Sequence, residues 1–507
     1  MQSTAEQIDA IALSTKLDGE GMKLIAFAGA GKTTTLKMIA EKHKQLGNKG
    51  LYLAFNKDIA TEAGAKMPDN IISCTFHSLA YRASPRWLID RLSQSGLSGP
   101  EFASTFKLST IWVNSFVKKK GSVKKIKGKI PLSAYHQKKI VDEGLNEFMR
   151  TSASKPAPRH LKEAVNKLFP DVDERDKQNV SNSLFPIMQV IWSDYTNPNG
   201  ILGFNNNHDI YLKLWSLSRP MLNVDFILFD EAQDANPIII GVLMQQKCPI
   251  IYVGDPHQQI YSWRGAINVM QSLNVPARYL TQSFRFGDEL SRFCQPILNY
   301  LGEKNTFKGR KDIKTIIDRS NTNPKDIDVA LCRTNAGAIE LIIQFGEEGI
   351  DVVPSNININ ETMTMLRSIH EFQEDPESQA KHPILKNFSS FDELLQYNEE
   401  YAGDQSISPY IKLYQKYSYG KIQRTLAQCN KLNRGKNWDF EVTTAHRSKG
   451  MEWDNVYIHN DFKDQFFDKK GNPKDAGDEE YRLLYVALTR AKKKLYAANA
   501  MPILNLL

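Results

Sequence analysis

A glycine-rich segment between an apolar run and a helical pattern constrains this chain most strongly. The segment AFAGAGKTTTL, residues 26–36, overlaps the end of the apolar run MKLIAFA, residues 22–28. The backbone N–H groups of such a loop, together with the start of the following helix, bind phosphate oxygens. The pattern therefore predicts a nucleotide-binding loop in an α/β domain, although Ala26 stands where the commonest form of the motif has its first glycine.

The residues of this loop have distinct expected roles. Gly29 and Gly31 allow the backbone to turn its N–H groups toward phosphate, and Lys32 reaches the β- and γ-phosphates of ATP. The Thr33 hydroxyl is a ligand for Mg²⁺. The predicted ATP-binding residues of the loop are Ala28, Gly29, Ala30, Gly31, Lys32, Thr33 and Thr34.

A pair of acidic residues follows a second apolar run. The run VDFILF ends at Phe229, and the sequence DEAQD occupies residues 230–234. Asp230 is a candidate Mg²⁺ ligand, and Glu231 is a candidate for orienting or deprotonating the attacking water. Acidic residues can also cap a following helix, but two adjacent carboxylates at the end of a strand, in a chain with a phosphate loop, favour hydrolysis.

Composition excludes several classes of protein. The 507 residues are 41% hydrophobic and 24% charged, and no long uncharged apolar run or secretory signal pattern is present, so we expect a cytoplasmic protein without a membrane partner. The five cysteines form no CxxC pair, which argues against a zinc site or a disulfide framework. A net charge of +8 permits a polyanionic partner.

Strand-like and helical patterns alternate in two parts of the chain, which predicts an α/β fold with two units. The strand-like runs are MKLIAFA, GLYLAF, NIISCTF, VDFILFD, CPIIYVGD, DVALCR, FEVTTAH and NVYIHND. Strand signals stop between Tyr81 and about Asn205, and the interval 356–436 is polar and helical in pattern. Both intervals are therefore predicted to be mainly helical insertions. The predicted domains are residues 1–84 with 206–274, residues 85–205, residues 275–355 with 437–507, and residues 356–436.

Nine segments together resemble the ordered motifs of the UvrD, Rep and PcrA superfamily 1 helicases. They are Gln7 in TAEQIDAI, the loop 26–33, TFHSLAYR, DEAQD, VGDPHQQIYSWRGA, LTQSFR, LCRTNA, TTAHRSKGMEW and EEYRLLYVALTRA. This resemblance implies two RecA-like P-loop motor domains with parallel sheets. The sequence HDIYLKLW, residues 208–215, is similar to the helicase part of the F-box DNA helicase branch. We expect no N-terminal segment that would house an F-box.

The resemblance implies further residues of the nucleotide site. Gln7 recognises the adenine edge and Phe284 stacks on the base, where relatives commonly have tyrosine. Gln258 is the implied γ-phosphate sensor. The implied arginine fingers are Arg285 and Arg490, and the implied sugar contacts are Gly450 and Glu452.

The resemblance also implies a track for DNA, built from aromatic side chains near basic or polar groups. Such side chains stack on any base and give a sequence-tolerant grip. The expected DNA-binding residues are Phe76, His77, Tyr211, Tyr261, Trp263, Arg264, Arg333 and His446. Between residues 101 and 170 there are 15 Lys and Arg against 5 Asp and Glu, which suits either duplex DNA or a solvated surface.

These features predict an ATP-dependent DNA helicase moving 3′ to 5′ on single-stranded DNA and at single-strand/duplex junctions, with ATP and Mg²⁺ as cofactors. A nearer alternative is a translocase that strips proteins but separates duplex poorly, because the second insertion is short. A third is a DNA-binding ATPase switch that regulates a partner nuclease or another effector. A repair or defence partner protein and any oligomeric state are left open by the sequence.

Overall fold

The apolar runs of the sequence form parallel strands in a computed structural model of the full chain. The structure describes residues 3–17, 19–118, 125–261, 268–320, 326–357, 359–375, 385, 391–400, 407–435, 438–468 and 470–507. The chain divides into two compact units. Unit 1 comprises residues 1–25, 33–254 and 261–279, and unit 2 comprises residues 26–32, 255–260 and 280–507.

The described strands and helices alternate along both units. The strands are β1 (Met22–Ala26), β2 (Gly50–Ala54), β3 (Ile71–Thr75), β4 (Ile111–Lys118), β5 (Lys125–Leu132), β6 (Phe226–Phe229), β7 (Ile250–Gly254), β8 (Ala277–Leu280), β9 (Gln282–Gly287), β10 (Lys308–Arg310), β11 (Ile316–Asp318), β12 (Val329–Cys332), β13 (Val352–Pro354), β14 (Phe440–Thr444), β15 (Trp453–Ile458) and β16 (Ala491–Tyr496).

The described helices are α1 (Ala5–Ser14), α2 (Lys32–Gln45), α3 (Lys57–Lys66), α4 (Phe76–Ala83), α5 (Arg86–Asp90), α6 (Gly99–Thr105), α7 (Ala134–Arg150), α8 (Pro158–Leu168), α9 (Glu174–Thr196), α10 (Asp209–Leu217), α11 (Pro237–Leu243), α12 (Val269–Ser272), α13 (Asp288–Tyr300), α14 (Asn335–Glu347), α15 (Ile359–Glu374), α16 (Phe391–Glu400), α17 (Ser408–Lys416), α18 (Tyr419–Gly435), α19 (Lys463–Phe466), α20 (Gly477–Leu488) and α21 (Met501–Leu504). Among the described residues, every helix is too short or too polar to span a bilayer.

The first sheet has the strand order β3-β2-β6-β7-β1-β8 within the described residues. The pairs β3–β2, β2–β6, β6–β7 and β7–β1 are parallel. All residues of β6 and β7 are buried, as expected for apolar runs without alternation in a sheet covered on both faces. Because parallel strands end at the same edge, β1 and β6 both end at one edge of this sheet, and each is followed by a predicted nucleotide-site motif.

The second sheet has the order β11-β16-β15-β12-β14-β13 in the described part of unit 2. Each neighbouring pair is parallel. Leu341 and Ile342 of α14 pack in one buried cluster with Phe440 and Val442 of β14. The α/β fold with parallel sheets, predicted from the alternation of runs, is confirmed.

The interval 85–205 contains a β-hairpin that the sequence analysis did not predict. Strands β4 and β5 pair antiparallel, from Ile111 opposite Leu132 to Lys118 opposite Lys125. The expectation that strand signals stop after Tyr81 was therefore wrong at this point. Apolar residues recur with a period of two in KIKGKIPL, which favours a strand, but the frequent lysines obscured this pattern. The rest of the interval is mainly helical, from α5 to α9.

The interval 356–436 is helical where it is described, with α15 to α18. The predicted limits of the four domains stay a prediction, since the compact units divide the chain into two parts only. Residues 85–205 belong to unit 1 and residues 356–436 to unit 2. Strands β8, β9, β10, β11, β13 and β16 were also not predicted, because most are short and half-exposed.

Candidate nucleotide site and nucleic-acid contacts

The glycine-rich segment joins β1 to α2, as predicted. Gly29 and Gly31 have φ angles of +72° and +75°, a region that favours glycine over residues with a Cβ atom. A Cβ on Gly29 would also lie 2.5 Å from Ser283 Oγ and 2.8 Å from Arg285 Cβ. The Phe284 N–H donates a hydrogen bond of 2.8 Å to the Gly29 carbonyl. The LTQSFR segment therefore packs directly on the loop, and only glycine fits at residue 29.

A tyrosine that the sequence analysis missed contacts the same loop. The Ala28 N–H donates to Tyr485 Oη at 3.3 Å, and this hydroxyl donates to Asp255 Oδ2 at 3.3 Å. Tyr485 is fully buried, and both burial and the Asp255 charge raise the pKa of its hydroxyl well above the usual value. The hydroxyl therefore stays neutral and links the loop to the Asp255 carboxylate.

Asp255 and Gln258 connect the loop to one of the predicted arginine fingers. Gln258 Nε2 donates to Asp255 Oδ2 at 2.7 Å, and Arg490 Nη2 donates to Gln258 Oε1 at 3.3 Å. Burial raises the pKa of the Asp255 carboxyl, although Gln258 and Lys32 act in the opposite direction. Because Lys32 opens α2 at the end of the loop, its charge lies close enough to favour the Asp255 carboxylate.

The side chain of Arg490 is almost completely buried, with 2% of its surface exposed. Arg490 Nε donates to the Val486 carbonyl at 2.8 Å, and Nη1 donates to the Met451 carbonyl at 3.1 Å. A guanidinium in this position carries a positive charge that cannot be lost at ordinary pH. The network therefore holds a fixed cation beside Gln258.

The other predicted finger is paired with a predicted sugar contact. Arg285 Nε donates to Glu452 Oε2 at 2.6 Å, and Nη1 donates to the Thr489 carbonyl at 2.8 Å. The Glu452 side chain is 46% exposed and that of Arg285 is 13% exposed. Gly450, two residues before Glu452, has a φ of +85° and open space around it. Arg285 and Phe284 follow the residue that packs on Gly29, so the nucleotide-site residues of unit 2 lie together.

The acidic pair of unit 1 has a strained backbone. Asp230 is buried at the end of β6, where Tyr52 Oη donates to its Oδ2 at 2.6 Å. Glu231 has φ +53° and ψ +39°, an uncommon left-handed conformation for a residue with a side chain, and such strain concentrates at functional sites. Gln233 Nε2 donates to Glu231 Oε2 at 2.5 Å. A Cβ on Gly254 would lie 2.1 Å from Gln233 Oε1, so a side chain at residue 254 would displace the Gln233 amide.

Gln7 is buried and both ends of its amide are bonded. Its Oε1 accepts from the Thr4 N–H at 3.0 Å, and its Nε2 donates to Thr35 Oγ1 at 3.0 Å. The first bond belongs to a capping box at the start of α1. Gln7 therefore ties α1 to α2, and the adenine contact expected of Gln7 stays a prediction.

A family model decides the identity of the chain. The UvrD/REP helicase N-terminal domain matches residues 4–275, more than half of the 507 residues. The chain belongs to the UvrD-like helicase family. The UvrD-like helicase C-terminal domain matches residues 356–500. The predicted fold of two RecA-like motor domains with parallel sheets is confirmed, and the family is one of ATP-driven DNA helicases.

The relatives of this UvrD-like chain include F-box DNA helicases. F-box DNA helicase 1 of Gallus gallus is 28% identical over 95% of this chain and 48% of the relative. F-box DNA helicase protein 1 of Schizosaccharomyces pombe is 30% identical over 94% of this chain and 55% of the relative. Gabija protein GajB of Bacillus cereus is 23% identical over 61% of this chain and 70% of the relative. The chain spans about half the length of the two F-box relatives.

Two aromatic residues expected to stack on DNA are core residues in this UvrD-like chain. Phe76 is 2% exposed and makes edge contacts with the rings of Phe229 and Trp215. Tyr211 is 4% exposed, and its hydroxyl lies 3.2 Å from His208 Nδ1. The predicted stacking role of Phe76 and Tyr211 is corrected, because neither ring has a free face on which a base could lie.

Arg333 has an acidic partner in the structure. Its guanidinium forms a two-bond ion pair with Glu480, at 2.9 Å and 2.7 Å, and its side chain is 17% exposed. Arg333 therefore links β12 to α20 in unit 2. A phosphate would have to replace this partner, so the DNA contact expected of Arg333 stays a prediction.

The remaining expected DNA contacts are more exposed or not described. The His77 side chain is 39% exposed and lies 3.4 Å from Asp209. His446 is half-buried after β14. Trp263 and Arg264 lie outside the described residues. These four expectations stay predictions.

Tyr261 has a partner that the sequence analysis missed. Its ring stacks nearly parallel on Phe55, with ring centroids 5.6 Å apart and an angle of 9° between the planes. Phe55 directly follows β2 and is 39% exposed. One signal for this contact is present in the sequence, because Phe55, the last residue of the apolar run GLYLAF, lies beyond the end of the strand. The pair offers stacked aromatic surface to solvent in unit 1.

Proposed function

We propose that this chain is an ATP-driven DNA helicase or translocase that moves 3′ to 5′ along single-stranded DNA. The observation that carries the proposal is the bonded path from Ala28 of the loop through Tyr485, Asp255 and Gln258 to Arg490. A path of this kind links the phosphate-binding backbone to a cation suited to stabilising charge on a transferred phosphoryl group. The direction is an expectation from the family resemblance.

Lys32 and the loop N–H groups are proposed to bind the phosphates of ATP, and Glu231 to orient the attacking water. Asp230 and Thr33 offer a carboxylate and a hydroxyl, the oxygen ligands that Mg²⁺ prefers. The Asp230 carboxylate accepts bonds from Tyr52 and the Glu231 N–H, which orients it at the end of β6. Bound Mg²⁺ would neutralise developing negative charge on the phosphates.

Arg285 and Arg490 are proposed to act as arginine fingers. Arg285 is paired with Glu452 in this structure, so phosphate binding would exchange one anionic partner for another. An arginine finger raises the rate of phosphoryl transfer by roughly 10³ to 10⁵. Because hydrolysis removes the γ-phosphate, these arginines would lose a partner in each cycle, which is the change that drives movement in a two-domain motor.

Single-stranded DNA is the proposed track, and Tyr261, Phe55, His77 and His446 are proposed to contact it, together with Trp263 and Arg264. The stacked pair of Phe55 and Tyr261 supports this, because exposed flat rings bind any base. Residues 85–205 and 356–436 are proposed insertions of the two motor domains, with exposed Lys129 on β5 a candidate duplex contact.

The test is ATP-dependent strand displacement on two duplexes that differ only in carrying a 3′ or a 5′ single-stranded tail. Separation of the 3′-tailed duplex alone supports the proposal. The Glu231→Gln variant should bind ATP and separate neither duplex, because it loses the carboxylate that activates water. Glu163→Gln is the matched control, since Glu163 is an exposed residue of α8, and it should behave as wild type.

Other outcomes separate the neighbouring functions. Release of streptavidin from a biotinylated single strand, without duplex separation, would make the chain a translocase that strips proteins. Separation of the 5′-tailed duplex alone would overturn the proposed direction. Nucleotide binding without turnover on any DNA would indicate an ATPase switch that acts on a partner protein, as the sequence analysis left open.

A further inference from the structure

Three side chains of metal-ligand type lie together in unit 2, outside the nucleotide site. Cys332 is the last residue of β12, His459 follows β15, and Asp461 lies in a short 3₁₀ helix, Asn460–Phe462. One potential ligand atom from each residue lies within 4.8 Å of the other two. Cys332 is 0% exposed and His459 is 3% exposed, and the Asp461 side chain is 10% exposed. The cluster is therefore closed to bulk solvent.

The sheet brings the first two residues together. Strands β12 and β15 are parallel neighbours, with Leu331 opposite Ile458. The His459 N–H continues this pairing with a bond of 3.0 Å to the Leu331 carbonyl. Cys332 and His459 are therefore the next residues along two adjacent strands, at the same edge of the sheet. Because the two residues come from distant segments of the sequence, no short motif such as CxxC predicts a metal site here.

His459 has no satisfied ring nitrogen among the described residues. Both Nδ1 and Nε2 are buried and neither makes a hydrogen bond. Nδ1 lies 3.1 Å from Asp461 Oδ1. Two ligands bound to one zinc ion at about 2.0–2.1 Å in a tetrahedral arrangement are separated by roughly 3.3 Å. The separation of these two atoms is thus close to that of ligands sharing one ion, and such an ion would satisfy a buried imidazole nitrogen.

Asp461 is held in place by the start of α14. Its carboxylate accepts the Arg333 N–H at 2.8 Å, the Thr334 N–H at 2.9 Å and the Thr334 hydroxyl at 3.2 Å. A Cβ on Gly337 would lie 2.1 Å from Asp461 Oδ2, so a glycine at this position lets the carboxylate approach the helix. A carboxylate has about four acceptor positions, so these three donors leave one position for a cation.

We propose that Cys332, His459 and Asp461 bind a zinc ion that fixes the ends of β12 and β15 to the start of α14. Sulfur, imidazole nitrogen and carboxylate oxygen are all zinc ligands, and three protein ligands leave one position of a tetrahedron for water or a backbone oxygen. A thiolate and a carboxylate together balance the charge of Zn²⁺. The three ligands lie outside the predicted nucleotide site, so the proposal does not depend on the proposed ATP-driven activity.

The chemistry of Cys332 gives the proposal a pH signature. Zinc binds a cysteine as the thiolate, so binding at Cys332 displaces the proton of the thiol. Binding should release protons and weaken as pH falls.

The experiment is a titration of the full chain, treated with chelator, with Co²⁺ as a spectroscopic substitute for zinc. We expect about one cobalt ion per chain and a near-ultraviolet thiolate-to-cobalt band, which Zn²⁺ then displaces. The Cys332→Ser variant should lose this band. Cys429→Ser is the matched control, because Cys429 is another buried cysteine of unit 2, and it should keep the band. His459→Gln should weaken cobalt binding at least about tenfold.

The wild-type titration alone decides the matter if Cys332→Ser fails to fold. No thiolate band and no bound zinc in the wild-type chain would overturn the proposal and leave a buried His–Asp pair without an ion. A band that survives in folded Cys332→Ser, or disappears in folded Cys429→Ser, would overturn the assignment to Cys332.

Discussion

The residues predicted for phosphate chemistry and those predicted to grip DNA behave differently in this UvrD-like chain. On the phosphate side, Arg490, Gln258 and the loop belong to one bonded network. On the DNA side, Phe76 and Tyr211 are buried in the core of unit 1. Charged groups are costly to bury without a purpose, whereas an aromatic ring serves equally well in a core or on a platform. The burial of Arg490 within a bonded network therefore needs an explanation, whereas the burial of Phe76 in a core does not.

The largest effect that would sharpen this comparison is expected from Lys32→Ala. Removing the cation at the end of the phosphate loop should lower ATP turnover by about 10³ or more, because one preorganised charge is worth that much in a water-excluded site. The matched control is Lys37→Ala on the same helix, whose side chain is 48% exposed and pairs with Glu41. Equal loss of turnover in both variants would mean that α2 matters as a whole and Lys32 has no special role.

A smaller effect is expected from Tyr485→Phe, which removes only the hydroxyl that joins Ala28 to Asp255. Leaving a buried polar group unsatisfied costs about 1–3 kcal/mol, so kcat for ATP should fall roughly 5- to 100-fold, with a smaller change in KM. Tyr481→Phe, on the same helix α20, serves as the control. A change in KM alone would show that the hydroxyl acts on nucleotide binding and not on coupling.

The comparison would break if the buried rings bound DNA after all. We expect Phe55→Ala and Tyr261→Ala each to weaken binding of single-stranded DNA about 5- to 100-fold, since stacking on one base is worth about 1–3 kcal/mol. Phe76→Leu should leave DNA affinity unchanged and lower the free energy of unfolding by about 1–3 kcal/mol. Fluorescence anisotropy with a labelled oligonucleotide, beside urea unfolding, measures both quantities. A Phe76→Leu protein of normal stability that binds DNA poorly would reverse the assignment.

The smallest expected effect is a pH-dependent change in the free energy of unfolding at Glu303. Burial raises the pKa of Glu303, but its hydrogen bond to His257, two hydrogen bonds from Asn305 and the charge of His257 outweigh this and lower the pKa to about 2. Because this folded value lies below the ordinary one near 4.5, the stabilisation is present above about pH 4.5 and is lost as pH falls toward 2. Glu303→Gln should therefore be less stable than wild type at pH 7, with the difference in unfolding free energy shrinking below pH 4.5. A difference that is constant from pH 7 to pH 3 would contradict this.

The sequence predicted the central strands, the strand–loop–helix context of the glycine-rich segment and the place of the acidic pair at the end of a strand, because each depends on local pattern. It could not reveal Tyr52 or Tyr485, since a tyrosine in an apolar strand or helix has no local mark of a hydrogen-bonded role. The sequence analysis also missed the hairpin, where frequent lysines masked the alternation of KIKGKIPL, and it could not show that Arg333 pairs with Glu480, which is far away in sequence. Local rules predict elements well, whereas pairings between distant segments depend on the folded chain.

The central claim is that the network around Arg490 and Gln258 makes ATP hydrolysis respond to DNA. The most direct measurement is ATP turnover by the purified chain with and without single-stranded DNA, using Glu231→Gln as the inactive control. The account predicts strong stimulation by DNA in the wild-type chain and none in the variant. Turnover that is equally slow with and without DNA, in a chain that still binds ATP, would contradict it.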